Sequence, residues 1–405
     1  MGARTRSTLL PSLSVTMGAI YVAIGGVVAV LLPLRVEEIT PDGKVEALAV
    51  ISSVAFAVTL FAQPLIGAVS DRTRDALGGR VPWVIGSALI GAIAIAAMGS
   101  ATTVVALCVL WAVGQFALNG ADVATSAYVV DSYPRGSRGV PSGAIVASVA
   151  LGTGVGVVVS GALSSTSQVA CIVVAAVAAL GGLSFARVQR SRPPLVTPRQ
   201  PRPKIVWSFA RLNPRKYPDF AWAVATRFLF TLGQQGVTVY LLYIVGDIDG
   251  VSRDAAPLFV AALTATGLVF LFTSAAIAGV VSDRWGRRRT VLLVSSAVMA
   301  FAMLVPLFWP HIAVMFVFAA LKGIALGGHL AAAGALISEV LPGGDAAAGR
   351  DLGMANVAVN AAQAVAPLLA GAVIVLAGGY AALFVVGIVA ALASGVTILQ
   401  VRSVR

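Results

Sequence analysis

The sequence predicts an all-α membrane protein with twelve transmembrane helices in two pseudo-symmetric six-helix bundles. Of its 405 residues, 59% are hydrophobic and only 11% are charged, whereas charged residues make up about a quarter of a soluble domain. Apolar stretches of roughly 20 residues, the length that crosses a bilayer, recur between polar segments. Two short motifs also occur twice, and the two copies of each are separated by almost the same number of residues, which is typical of a duplicated membrane protein.

The first repeated motif is Ser-Asp-Arg after an apolar stretch. It occurs at Asp71 and again at Asp283, 212 positions later. In the second motif an acidic residue stands three positions before a proline, at Asp131 and again at Glu339, 208 positions later. Two motifs repeated at almost the same offset indicate that the second half of the chain duplicates the first.

The apolar stretches define twelve spans, six on each side of a basic, proline-rich segment. Residues 1–187 are predicted to form an N-terminal bundle, 188–217 a cytoplasmic linker and 218–405 a C-terminal bundle. The predicted spans are 12–33, 45–67, 83–101, 104–130, 141–163, 168–187, 218–245, 256–281, 289–308, 312–339, 351–376 and 379–400.

The positive charges indicate the orientation. Lys and Arg are nearly absent from the turns after odd-numbered spans, with Arg35, Lys44 and Arg253 as exceptions, so both termini and the linker are predicted to be cytoplasmic. Arg far outnumbers Lys and Ala is abundant, which is typical of a GC-rich bacterium, so we expect the bacterial inner membrane. The net charge of +12 comes from short segments between apolar runs, which argues against nucleic-acid binding.

Other classes of function find little support. The sequence has no arrangement typical of a nucleophilic triad, a metal site or a nucleotide loop, and it contains only two histidines. Cys108 and Cys171 lie inside apolar runs without CxxC spacing, so we expect neither a disulfide framework nor a metal site. We therefore expect a monomeric protein without cofactor that is not an enzyme. A non-transporting receptor remains a remote alternative.

The loop after the eighth span, residues 282–289, reads Ser-Asp-Arg-Trp-Gly-Arg-Arg-Arg and resembles the signature loop of the major facilitator superfamily. Its first-half counterpart, residues 71–83, is similar to the longer version in plant sucrose transporters and the glycoside-pentoside-hexuronide cation symporters. Gly79 and Val81 replace two residues that are commonly basic there. The resemblance implies the major facilitator fold and a solute cavity lined by the first, fourth, seventh and tenth spans.

The repeated loops also predict a cytoplasmic latch. A carboxylate at a helix end can face the positive end of another helix, and arginines can bridge to Asp131 or Glu339. In the family such contacts favour the outward-open state and break as the halves rock. The alternative is that these charges only set the topology. The predicted latch residues are Asp71, Arg72, Arg80, Asp131, Asp283, Arg284, Arg287, Arg288, Glu339 and Arg350.

Polar residues inside the spans are the candidate solute and proton site, because ionisable groups at bilayer depth are costly and usually face a cavity. Asp122, Arg227, Lys322 and His329 all fall on helices that line the cavity in the family. Polar residues also recur at helical spacing along the fourth, seventh and eleventh spans. The full candidate set is Gln115, Asn119, Asp122, Arg227, Gln234, Lys322, His329, Asn356, Asn360 and Gln363.

We expect Asp122 and Arg227 to form or exchange an ion pair across the two halves, with a proton or the solute competing for one partner. A static pair without a transport role is the alternative. His329 is either a packed, neutral side chain or a solute contact or proton relay. Lys322 must find an acceptor or extend outward along its own stem.

The sequence thus predicts a secondary transporter that carries a small polar organic solute, such as a sugar or glycoside, together with protons. A sodium site is disfavoured, because the second span supplies no carboxylate to join Asp122. The alternative is a proton-driven exporter of drugs or metabolites. Such exporters often carry a Gly-Pro dipeptide in the fifth span, and here that span is rich in glycine but lacks the proline.

Overall fold

The computed structural model describes residues 3–70, 80–133, 139–190, 215–248, 251–342 and 344–403, which are helical and contain no strand. A π-helical segment, Val27–Leu31, joins the first two helices, and a short 3-10 helix, Ser164–Thr166, precedes the seventh. The helices in these residues are α1 (Ala3–Gly26), α2 (Leu32–Ile39), α3 (Lys44–Ser70), α4 (Val81–Met98), α5 (Val104–Ser132), α6 (Gly139–Ala162), α7 (Ser167–Arg190), α8 (Pro218–Gly246), α9 (Ala256–Trp285), α10 (Arg288–Phe308), α11 (Ile312–Glu339), α12 (Gly344–Ala377) and α13 (Ala381–Leu399).

Twelve stretches of the described residues are long and apolar enough to cross a membrane. The first, Leu9–Ile39, runs through α1, the π-helical segment and α2, and the other eleven correspond to α3–α13. For the second to the twelfth span, every predicted boundary lies within four residues of the observed one. The all-helical, twelve-span fold is therefore confirmed.

The first span is longer than predicted. We expected it to end at Pro33, but the helix continues to Ile39. In a regular α-helix the ring of Pro33 would press against the carbonyl group of Ala29, and Pro33 has no N–H to donate. The wider π-helical turn at Val27–Leu31 relieves this conflict, so the helix passes the proline instead of stopping there.

The chain divides into two compact units. The first comprises Met1–Ala47 and Val54–Val206, and the second comprises Leu48–Ser53 and Trp207–Arg405. The segment predicted as a linker, 188–217, falls largely in residues outside the described ranges, so the linker stays a prediction.

Both units use one plan of helix packing. In the first unit α1 packs against α6 and α7, while α4 packs against α5 and α7. In the second unit α8 packs against α12 and α13, while α10 packs against α11 and α13. Counted along each unit, these are the same pairs: the first span with the fifth and sixth, and the third with the fourth and sixth. The duplication inferred from two motifs thus extends to the tertiary packing.

The units differ at the second span. In the second unit α9 packs extensively along α11, but in the first unit α3 approaches α5 less closely. An apolar cleft of about 370 Å³ lies between α3, α4 and α5.

Glycines allow the backbones of α1 and α6 to touch. A Cβ atom at Gly156 would overlap the carbonyl oxygen of Val22, and one at Gly152 would overlap the carbonyl oxygen of Gly18. Small residues at helix interfaces replace the hydrophobic driving force that is missing inside a bilayer, because they permit close van der Waals packing. The glycine-rich fifth span is therefore the packing partner of α1.

We predict that Gly156→Ala destabilises the protein. Alanine favours a helix over glycine by about 1 kcal/mol, but the overlap with Val22 would cost about 1–3 kcal/mol or more. Thermal unfolding of the purified protein in detergent measures the net change in stability. Gly143→Ala, on the same helix with nothing within 4 Å of the added Cβ, is the control and should leave stability unchanged or slightly higher. Equal unfolding temperatures for the two variants would contradict the prediction.

Candidate functional site

The first unit holds a single carboxylate deep in its described spans, Asp122 on α5. Tyr21 on α1 donates a hydrogen bond from its hydroxyl to Asp122 Oδ2 at 3.0 Å. Ser126, one helical turn further on α5, donates to Asp122 Oδ1 at 3.2 Å. No cationic group pairs with Asp122 within the described residues of its own unit. Two hydroxyl groups therefore hold this carboxylate, and its charge is not compensated there.

The other predicted polar side chains on this face of α5 form hydrogen bonds with one another. The Asn119 amide nitrogen donates to both the backbone oxygen and the side-chain oxygen of Gln115, each at 2.9 Å. Gln115 is buried and Asn119 is half-buried. These contacts run along the helix at i, i+4 spacing, so they place the amides in one stripe with Asp122 as the sequence pattern indicated.

In the second unit His329 on α11 stacks on Phe230 of α8. The ring centroids lie 3.8 Å apart and the ring planes differ by 6°. His329 is only 4% exposed, and its Nδ1 atom finds no hydrogen-bond partner in the described part of the structure. The stack shows how a lone histidine packs between two helices, while a role in binding solute or protons stays a prediction.

Arg227 lies three residues before Phe230 on α8 and within electrostatic range of His329. It is half-buried, and within the described residues of the second unit it makes no hydrogen bond or ion pair. A guanidinium group offers several N–H donors in a planar fork, so Arg227 presents unused donors within its own unit.

Lys322 on α11 finds a neutral acceptor. Its ammonium nitrogen donates to the Thr238 hydroxyl at 2.6 Å, and Thr238 in turn donates to the backbone oxygen of Gln234 at 2.8 Å. The ammonium also lies 5.9 Å from the ring centroid of Phe318, close enough for a cation–π contact. Lys322 therefore has contacts across α8 and α11 but no carboxylate in the described part of its unit.

The two units carry different chemistry at equivalent positions. Phe230 follows Tyr21 by 209 positions and His329 follows Asp122 by 207, close to the 208 that separates the repeated loop acids. α1 also contacts α5 in the first unit and α8 contacts α11 in the second, which is the first span with the fourth in each unit. A hydrogen-bonded Tyr–Asp pair in the first unit is thus matched by a stacked Phe–His pair in the second.

Three predicted residues lie on α12, at positions 356, 360 and 363. Asn356 is exposed, Asn360 is 9% exposed and Gln363 is half-buried. Their spacing places them along one strip of the helix.

In the described residues, each of the repeated acids Asp131 and Glu339 forms an ion pair within its own unit. Arg80, just before α4, bonds Asp131 at 2.7 Å and also donates to the Ser70 hydroxyl at 3.0 Å. Arg288, at the start of α10, bonds Glu339 at 2.8 Å. Both arginines and both acids are 208 positions apart, so the sequence repeat becomes a repeated ion pair that joins two helices of the same unit.

Of the remaining predicted latch residues, the structure describes the side chains of Arg284 and Arg287. Arg284 and Arg287 are exposed. Gly286 between them has a φ of 60°, a left-handed conformation that ends α9 and favours glycine, which explains the glycine of the loop motif. Asp71 and Arg72 lie outside the described residues, and so do the side chains of Asp283 and Arg350.

Sequence reasoning left four contact residues out of the site: Tyr21, Ser126, Phe230 and Thr238. Ser126 and Thr238 extend the polar stripes of α5 and α8 by one turn, so the helical spacing was a signal for both. No comparable signal exists for Phe230, because a phenylalanine in a span ordinarily packs against lipid or core.

Two clefts found in the described part of the structure contain no predicted site residue. The cleft of about 370 Å³ in the first unit is lined by apolar side chains and Ser87. A second cleft of about 280 Å³ lies at the ends of α8, α10, α11 and α13, where Tyr380 donates to Asp247 at 2.8 Å. The predicted site residues therefore lie on α5 in the first unit and, separately, on α8, α11 and α12 in the second.

The sequence model of the Major Facilitator Superfamily matches residues 13–278 and 255–404, which together cover nearly the whole chain. The chain belongs to the major facilitator superfamily. Members of this superfamily are transporters and not enzymes, and their two halves are related by duplication. Comparison with curated proteins gives no significant match.

Solved structures of major facilitator transporters share this fold. A bacterial homolog to the human lysosomal transporter Spinster, inward-facing and unoccupied, has a TM-score of 0.71 at 16% identity and covers 99% of this chain and 95% of its own. Its occupied form has a TM-score of 0.69 at 15% identity. The nucleoside transporter NupG has a TM-score of 0.73 at 14% identity and covers 97% of this chain and 98% of its own.

We predict that the Arg80–Asp131 pair contributes more to stability than the Arg288–Glu339 pair. The side chains are 14% and 22% exposed in the first pair and 22% and 39% in the second, so solvent screens the second pair more. Arg80→Gln should cost about 1–3 kcal/mol and Arg288→Gln about 1 kcal/mol or less, measured by thermal unfolding.

The double variant Arg80→Gln with Asp131→Asn is the control for the first pair. Because both partners are then neutral, it should lose less stability than the sum of the two single changes. Additive losses would mean that the two side chains act independently.

Proposed function

We propose that this major facilitator protein is a secondary active transporter that moves a polar organic solute, such as a sugar or glycoside, together with protons. The observation that carries the proposal is Asp122. A carboxylate at bilayer depth, held by two hydroxyl groups and without a cation in its own unit, is the kind of group that can take up and release a proton as its surroundings alternate between wet and closed.

The contacts of Asp122 favour a proton over sodium. A hard cation requires several oxygen ligands with compensating negative charge. Here the Tyr21 hydroxyl points its hydrogen at the carboxylate, and Asp122 is the one carboxylate deep within the described spans. A single proton needs only one carboxylate oxygen.

The repeated ion pairs support alternating access by rocking of two rigid halves. Each pair joins the helix after a signature loop to the neighbouring helix of its own unit, Arg80 to Asp131 and Arg288 to Glu339. We infer that these contacts keep the predicted cytoplasmic side of each unit rigid, and that the remaining loop charges supply the latch between states. The exchange of Asp122 between a proton and Arg227 then couples proton binding to the rocking.

Hydroxyl, amide and charged groups on α5, α8 and α11 suit a hydroxylated solute. NupG, which shares the fold, is a nucleoside transporter, and a nucleoside is also a polar, hydroxylated molecule. The resemblance of residues 71–83 to the glycoside-pentoside-hexuronide symporters supports a sugar or glycoside. Export of drugs or metabolites is the alternative, and the direction of the driving gradient separates it from import.

We predict that Asp122→Asn abolishes uptake against a concentration gradient, because the amide can neither bind nor release the coupling proton. Exchange of labelled for unlabelled solute across the membrane should continue. The measurement is flux of sucrose, methyl β-D-glucoside and uridine into proteoliposomes of the purified protein, with an imposed pH gradient of either direction.

The matched control is Asp247→Asn. Asp247 also accepts a hydrogen bond from a tyrosine, Tyr380 at 2.8 Å, but it lies just after α8 ends, so its change should leave the pH dependence of uptake intact. If Asp122→Asn retains concentrative uptake and its pH dependence, the proton-carrier role of Asp122 is wrong. If solute moves only in the direction opposite to the protons that flow down their gradient, the protein is an exporter.

A further inference from the structure

We propose that the transported solute carries an anionic group, a carboxylate or a phosphate, and that Lys322 binds it. This inference rests on the proposed function, because it takes the polar face of α8 and α11 as part of the solute site. It narrows the solute from a neutral sugar or glycoside to an acidic derivative of a polar molecule.

The charges inside the spans are unbalanced. All twelve spans lie within the described residues. Three side chains of types that are ordinarily charged at neutral pH lie at least six residues from both ends of a span: Asp122, Arg227 and Lys322. Two are cations and one is an anion. Even if Asp122 is ionised and neutralises one cation, one positive charge remains at bilayer depth.

An uncompensated charge in this position is costly and calls for a partner. The proposed function already assigns Arg227 to Asp122, so Lys322 is the cation left over. Its one hydrogen-bond partner in the described residues is the Thr238 hydroxyl, which is neutral. The ammonium group has further N–H donors besides the one that Thr238 accepts. Lys322 can therefore bind an anion without giving up its present contact.

The layout of α8 and α11 suits a solute with an acidic end and a polar or planar body. Thr238 lies eleven residues beyond Arg227 on α8, or about 16 Å along the helix. His329 lies seven residues beyond Lys322 on α11, or about 10 Å. Gln234 lies between Arg227 and Thr238 on α8, and the Phe230–His329 stack lies near the level of Arg227. An anionic group at Lys322 would thus leave the body of the solute against amide and aromatic groups.

The experiment compares neutral and anionic versions of one molecule. The apparent Tm of the purified full-length protein is measured with D-glucose, D-glucuronate and D-glucose 6-phosphate, and with uridine and uridine 5′-monophosphate. The apparent Tm is also measured with inorganic phosphate alone. A bound solute raises the apparent Tm by mass action. We expect at least one anionic member to raise it clearly more than its neutral partner and more than inorganic phosphate.

Variants of Lys322 test the assignment to this residue. Lys322→Gln should weaken the apparent affinity for the anionic member by about 10- to 100-fold, the usual effect of losing a hydrogen bond to a charged group. Lys322→Arg should retain most of it, because the charge is kept. Lys216→Gln is the matched control, since Lys216 is exposed just before α8 begins and should change nothing. The Tm of each variant without solute shows whether it still folds.

The inference is overturned if no anionic member raises the Tm, if a neutral member does so equally well, or if Lys322→Gln binds the anion unchanged. It is also overturned if inorganic phosphate accounts for the whole effect, because the site would then hold a free ion. Proton-driven uptake of a neutral member that is insensitive to Lys322→Gln overturns this inference and leaves the proposed function standing. Anion binding at Lys322 without any proton-driven uptake contradicts the proposed function instead.

Discussion

The structure depends on one physical constraint: the hydrocarbon core of a bilayer offers no partners for polar groups. Backbone N–H and C=O groups must then bond within their own segment, so the described spans are all helical. The same constraint removes charged side chains from the spans unless they face water or a solute. Asp122, Arg227 and Lys322 are therefore the residues to which we assign the proposed binding of proton and solute.

A duplicated scaffold carries chemistry that has diverged. The two units share their helix pairs and a pair of ion pairs 208 positions apart, so packing and loop electrostatics repeat. The side chains at bilayer depth do not repeat. A carboxylate bonded by Tyr21 occupies one unit and an imidazole stacked on Phe230 occupies the other. In our proposal the repeated packing serves the alternation between two states, and the differing side chains serve the binding of solute and proton.

Membership of the major facilitator superfamily establishes the class of activity, while we propose that the polar residues of the spans determine what is carried. Structures of a Spinster homolog and of NupG share the fold at 14–16% identity, at which level the backbone is conserved and binding residues differ. The charge balance within the spans is a property of this chain itself. For this reason it restricts the chemical class of the proposed solute more than the fold does.

The sequence alone determined the number and the bounds of nearly all spans, because apolar length and loop polarity are local properties. It also identified Asp122, Arg227, Lys322 and His329 as the acidic and basic residues deep within the spans. Tertiary structure decided which partners they have: Tyr21 for Asp122, Phe230 for His329 and Thr238 for Lys322. It also decided that Arg80 and Arg288, out of many loop arginines, pair with the repeated acids, and that the first helix passes Pro33. These outcomes depend on contacts between helices far apart in the chain and on one π-helical turn, which no local pattern encodes.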